Sequence, residues 1–345
     1  MLGNTPYVVA RAKSRRQKLA DRARLRQLIH QSVDQLTVAV GDLGYRSEID
    51  LYAGKFSGGD LVEVALTHNL EVELEEILGM ANQAIRDVVE VYTSRFEYQN
   101  AKAVLRAVHN DVEIDEVAKS ILPDLNEVNT PWLKMIEHAD DIASAVIQMR
   151  RKSFGSDLIK LGEGATLADY ENALDRHYFA HAIQAATMQK GAQAMYLRRL
   201  IGMEIDHRNI INILEASTVG ISNDQILSML VPGGTLLPKR SFSAIGASGR
   251  DGLMDILRSN QSFDMNDFEH QLASSAEARS LDPVITWMKE REYAMLKRMS
   301  YLHPVSALPI IYYVAMKVQE VNDLRLIVRG RMAGLSSEIL EAHIL

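Results

Sequence analysis

QEVNDLRLIVRGRMAGLSS, residues 319–337, carries an early glutamate, Glu320, three arginines, Arg325, Arg329 and Arg331, and the apolar positions Val321, Leu324, Val328, Met332 and Leu335. Steps of three and four residues place those apolar side chains on one face of an α-helix. Gly334 and then Ser336 read as a helix stop followed by the N-cap of a new helix. On that helix Arg325 and Arg329 lie about 140° and about 180° around from Glu320, so acid and arginines cannot pair with each other. Each must face another helix, a partner or solvent.

The pattern occurs twice earlier, as FEYQNAKAVLRAVHND (96–111) and MEIDHRNIINILEASTVG (203–220). Glu97, Glu204 and Glu320 align, as do Gln99, Asp206 and Asn322, then Lys102, Asn209 and Arg325. Arg106 matches Arg329, whereas Ile213 breaks the basic pattern in the middle copy. Each copy leads through a polar or glycine turn into a short segment, IDEVAKSIL, SNDQILSML or SSEILEAHIL, with N-cap hydroxyls at Ser222 and Ser336. Helix-breaking Pro123 and the run Pro232 to Pro238 separate the copies, which divides the chain into three helical repeats, 1–123, 124–232 and 233–345.

LGYRSEIDLYAGKFSGGDLVEVALTHNL (43–70) also resembles KSFGSDLIKLGEGATLADYENALDRHYF (152–179), with Tyr45 matching Phe154. The stretch 241–252, rich in glycine and serine, reads as a loop before a helix at LMDILRS. Strict alternation of apolar and polar residues is short and rare throughout, so the class is all-α.

Composition narrows the chemistry. Without cysteine there are no disulfides, thiolate metal sites or cysteine nucleophiles. A formal charge of −7 opposes a nucleic-acid surface spread over the whole chain. The one basic block is residues 1–26, where Arg11, Lys13, Arg15, Arg16, Lys18, Arg22, Arg24 and Arg26 oppose the single acid Asp21. It lacks interleaved aromatics for base stacking, and no nucleic-acid partner is expected. Nowhere do about 18 consecutive apolar residues occur, so the chain reads as soluble and intracellular.

Candidate catalytic and metal groups are sparse. Glu204 and His207 form an E-x-x-H on one helical face, but a di-iron bundle needs a second such pair. His177 and His181, four apart with Asp175 nearby, present two ligands without an evident third. Asp140 and Asp141 lack the further spaced carboxylates of a diphosphate site, and GKFSGG and GASGRDG lack the lysine and hydroxyl order of a phosphate loop. The expectation is no catalytic residue, no cofactor and no metal. An all-helical metal enzyme using Glu204/His207 or His177/His181 is the alternative.

PIIYYVAMKVQEVNDLRLIVRGRMAGLSSEIL (309–340), the threefold acidic motif at 97, 204 and 320, and YENALDRHYF (170–179) resemble the subunit of rotary A-type and V-type ATPases that is named C in archaea and bacteria and d in eukaryotes. The resemblance covers nearly the whole chain. It implies three similar helical domains in a pseudo-threefold, funnel-shaped arrangement and a rotor adaptor without catalysis. One copy would join the coiled-coil shaft, made of the D and F subunits, to the membrane proteolipid ring, and would transmit torque during proton or sodium transport coupled to ATP synthesis or hydrolysis. It would lie peripherally on the cytoplasmic face of the cell membrane. Glu97, Lys102, Arg106, Glu204, Asp206, Asn209, Glu320, Arg325 and Arg329 are the partner-interface candidates.

Overall fold

Helical periodicity in the sequence becomes helix along the chain. The computed structural model describes residues 4–121, 129–162, 164–189 and 192–344, and no strand occurs among them. The expected break at Pro123 lies outside the described residues. The break at 232–238 is a loop, with Gly233 at φ 115°.

All three motif stretches are helical: Arg95–His109, the second half of Ala192–Val219, and Leu308–Met332. Their ends share one geometry. A residue in the left-handed region follows each helix, Asp111 (φ 54°), Gly220 (φ 73°) and Gly334 (φ 72°). The next amide then closes back across the last helical turn, from Val112 to the Ala107 carbonyl, Ile221 to Ala216 and Leu335 to Gly330, at 2.8 to 3.0 Å. Such a closure satisfies carbonyls the helix would otherwise leave open. One residue further on stands the N-cap of a short helix, Glu113, Ser222 or Ser336. Left-handed backbone is easiest for glycine, and an acid takes that place in the first copy.

The two resembling segments also fold alike. Tyr45 and Phe154 are both fully buried, and each precedes a short helix, Arg46–Tyr52 or Gly155–Ile159. A turn and then a long helix follow, Gly58–Met80 or Leu167–Met188. A π-turn at Gly41–Tyr45, opened by Gly44 at φ 110°, carries Tyr45 into the core.

One expectation fails. The stretch 241–252 is not a loop: Phe242–Ser259 is helical, kinked at Gly249 (φ 55°). Ile245 supplies the apolar anchor that the glycines obscure, and it is buried in the core.

Contacts divide the chain into two units, residues 1–171 with 304–345, and residues 172–303. In the first, helix Leu308–Met332 packs on Gly58–Met80 and Thr5–Arg16. It is apolar and buried around most of its circumference, as a helix enclosed by others must be. Val321, Leu324, Ile327 and Val328 join Leu28, Leu36, Val62 and Leu66 in one core. Chain order groups this helix with 233–345; its packing places it with the N-terminal helices. In the same unit Arg95–His109 packs on Thr130–Glu137 and Ile142–Gln148.

In the second unit Ala192–Val219 packs on Asn223–Met229, Phe242–Ser259 and Asp282–Leu302. Phe263, Phe268 and Trp287 form an aromatic cluster with centroids 5.2 to 5.9 Å apart. The Trp287 indole N–H donates to Asp267 at 2.6 Å, so its one polar atom is satisfied.

Candidate functional site

Glu320 stands 4% exposed at the centre of the first unit. Its Oε2 accepts from the Tyr45 hydroxyl (2.7 Å) and from Lys317 Nζ (3.1 Å), and its Oε1 accepts from the Ala20 amide (2.6 Å). Lys317 Nζ also donates to the Tyr45 oxygen at 2.7 Å and sits 4.2 Å from that ring's centre. A buried carboxylate is tolerated only with such complete compensation. Burial, and then the Glu320 charge, push the Tyr45 hydroxyl well above the usual phenol range, which keeps it a proton donor.

The two arginines on the other side face helix Gly58–Met80. Arg325 donates to Thr67 Oγ1 at 2.7 Å, and burial lowers its guanidinium from its ordinary value. Arg329 grips Glu63 with two nitrogens. Arg331 donates to the Gln31 carbonyl at 3.1 Å. The question left by the helical wheel is thus answered within the chain: acid and arginines each face another helix.

Beside Thr67, Glu71 accepts from Asn129 Nδ2 at 2.9 Å, while its other oxygen is buried without a partner among the described residues. Burial raises its carboxyl to about 7, against the lowering pull of Asn129 and Arg325.

The first copy repeats part of this arrangement. Lys152 donates to Glu97 at 2.9 Å and lies 4.3 Å from the Trp132 ring centre. Tyr98 and Phe154 pack as tilted rings with centroids 5.1 Å apart. Arg106 grips Glu171 at 2.5 and 3.0 Å. Glu171 begins the long helix after Phe154, much as Glu63 begins the one after Tyr45, so the arginine–glutamate clamp recurs. Lys102 is half-buried on the same helix as Arg106.

The middle copy works differently. Asp206 is wholly buried and accepts from the amides of Thr235, Leu236 and Leu237 and from the Thr235 hydroxyl, all at 2.7 to 2.9 Å. Asn209 brackets Val231, donating to its carbonyl and accepting from its amide at 2.8 Å each. Ile213 lies in the apolar core. Here the motif helix holds a loop rather than a glutamate-bearing helix, so an amide and an isoleucine replace the cations. Glu204 is half-buried. At the positions aligned with Asp206, Gln99 and Asn322 are exposed, so the shared polar residue has no shared task.

His207 is buried, with Nδ1 2.6 Å from Glu292 Oε1. Asp175, beside His177, pairs with Arg208 at 2.5 Å. Among the described residues no three histidine, aspartate or glutamate side chains are grouped to hold a metal ion. Asp141 caps helix Ile142–Gln148 in a reciprocal box with Ser144. The motif residues form struts and caps between helices, which can carry load but have no evident chemistry. Sequence reasoning missed Tyr45, Lys317, Glu63 and Thr67. Of these, only Lys317 has a local signal, its spacing of three from Glu320.

The family model described as ATP synthase (C/AC39) subunit matches residues 8–343. The chain is 27% identical to the A-type ATP synthase C subunit of Haloferax volcanii, over 99% of this chain and 97% of that one. It is 28% identical to the protein of the same description from Haloquadratum walsbyi (97% and 96% covered), and 24% identical to that from Methanosarcina acetivorans (98% and 92% covered).

Proposed function

This chain belongs to the ATP synthase (C/AC39) subunit family, and from that premise we propose that it is the central-stalk adaptor of an A-type ATP synthase. It is a structural, non-catalytic member of a hetero-oligomeric ATP synthase. In the proposed role one copy joins the coiled-coil shaft, made of the D and F subunits, to the membrane proteolipid ring and passes torque between them while protons or sodium ions move. The observation that carries this reading is the family match across 8–343, together with relatives of nearly equal length.

The struts between helices support it physically. A torque-bearing adaptor needs helices that do not slide past one another, and the Glu320 network and the clamps Arg329–Glu63 and Arg106–Glu171 oppose sliding. The same reading takes 1–123, 124–232 and 233–345 as three copies of one unit around a pseudo-threefold axis, forming a funnel. Supporting it is the helix ending that recurs after each motif. Among the described residues no helix is long and apolar enough to cross a membrane, and attachment at the cytoplasmic face is accordingly proposed to be peripheral.

Of the nine candidate interface residues, Arg106 and Arg329 are exposed and Glu97 is half-exposed, so these are proposed to reach a partner. Glu320, Asp206 and Asn209 are buried and act inside the chain. The test is co-purification of the tagged full chain with the coiled-coil shaft protein and, separately, with the detergent-extracted proteolipid ring. A stoichiometric complex with each is expected; a chain that binds neither sinks the adaptor reading.

A further inference from the structure

The basic block 11–26 is only partly used by the fold. Arg15 pairs with Glu73 (2.5 Å) and Glu76, and Arg16 lies 4.8 Å from the Tyr312 ring centre. Arg26 pairs with Glu341 at 2.9 Å, Arg24 meets Gln27 at 3.2 Å, and Lys13 reaches the Pro304 carbonyl at 3.5 Å. Among the described residues Arg11 and Lys18 have no such partner. Both line a cavity of about 310 Å³ in the first unit.

Arg11 and Ser14, on helix Thr5–Arg16, and Lys18, in the turn after it, are exposed and line the cavity's outer side. Tyr45, Lys317 and Glu320, each at most 6% exposed, line its inner end. Two carboxylates face the space, and both are compensated: Glu320 by Lys317, Tyr45 and the Ala20 amide, Glu73 by Arg15 and the Tyr313 hydroxyl at 2.5 Å. The uncompensated charge of the cavity is therefore that of Arg11 and Lys18. Asn69 adds a specific requirement. Its Nδ2 donates to Glu48 Oε1 at 3.1 Å, which fixes the amide's orientation and leaves Oδ1 as a buried acceptor without a partner.

The geometry points to a binding site for a protonated phosphate-type oxyanion. Two cations and the Ser14 hydroxyl serve the unprotonated oxygens, and the Asn69 carbonyl takes the phosphate O–H. At neutral pH phosphate carries such a proton and sulfate does not, so the site discriminates between two anions of similar size. A guanidinium beside an ammonium is a usual phosphate grip. The volume admits one such group with several waters.

The test is calorimetric titration of the full chain with inorganic phosphate and with sulfate at pH 7 and constant ionic strength. A parallel arm uses vesicles containing phosphatidic acid, which presents the same protonated group on a lipid. Expected is saturable binding of inorganic phosphate or of the vesicles, with sulfate at least tenfold weaker; which arm responds identifies the source. The exposed-residue variants Arg11→Gln and Lys18→Gln should each weaken binding at least tenfold with unchanged circular dichroism and Tm without ligand. Asn69→Leu should abolish the preference over sulfate. Equal responses to phosphate, sulfate and chloride, or responses unchanged in the Arg11→Gln/Lys18→Gln double variant, would reduce the effect to salt screening and overturn the proposal. So would silence in both arms.

Discussion

Replacing Glu320 by Gln keeps the side chain's shape but leaves Lys317, 6% exposed, as a buried cation without its counter-charge. Breaking one side of a buried pair costs about 3–5 kcal/mol, whereas replacing both partners is often close to neutral. Glu320→Gln and Lys317→Met should each destabilise the first unit by that amount. The double variant should cost less than either alone, giving a coupling energy of about 3 kcal/mol or more. The two tryptophans make the measurement specific, because Trp132 lies in the first unit and Trp287 in the second. In a Trp287→Phe background, urea unfolding followed by fluorescence reports only the unit that contains Glu320. Restricting the probe matters, since a chain of two units need not unfold in one step. A cost below about 1 kcal/mol for Glu320→Gln, or a double variant as costly as the two singles added, would refute the strut assignment.

Asp206→Ala removes the acceptor of three backbone amides and a hydroxyl and should destabilise the second unit by about 2–4 kcal/mol, read from Trp287 fluorescence in a Trp132→Phe background. At Gly330 an added Cβ would stand 2.2 Å from Leu340 Cδ2, so Gly330→Ala should cost about 1–3 kcal/mol and speed amide exchange in helix Ser337–His343 before the rest of the unit. Glu71 has a raised folded-state pKa near 7, so the folded chain holds a proton that the unfolded chain releases at lower pH. Stability from this group is therefore lost as pH rises from about 4.5 to about 7, and Glu71→Gln should stabilise the protein at pH 8 and lose that advantage toward pH 5 in thermal melts. The exposed clamp residue Arg106, by contrast, should cost under about 1 kcal/mol on conversion to Ala.

Local features are legible in the sequence because their causes are local. Apolar spacing marks the helices, Ser222 and Ser336 mark two N-caps, and Gly334 marks a left-handed turn. The third repeat's acid is recognisable, but not what it touches, because Tyr45 lies 275 residues away and Ala20 lies 300 away. What Arg325 and Arg329 face within the chain is hidden for the same reason: Thr67 and Glu63 are distant in sequence, and a helical wheel shows only which side a residue faces. The helix at 242–248 is obscured by Ser243, Gly246 and Ser248, whose lower helix propensity is overridden by the burial of Ile245. Departures in the middle copy, Asn209 and Ile213, point to a changed role, and the packing supplies its cause in the loop 230–238.

Helix Leu308–Met332 completes a core begun by residues 25–66, and this orders events during synthesis. Residues 172–303 form a continuous stretch and can close their core as they leave the ribosome. The helices between residues 25 and 66 cannot: the surface meant for Val321, Leu324, Ile327 and Val328 stays open until those residues have been made. Contacts some 300 residues apart close slowly, and an open apolar core invites aggregation. Nascent chains halted near residue 300 should therefore carry a folded second unit beside an N-terminal segment that recruits chaperones, and premature termination before residue 308 should do its damage at the other end of the chain.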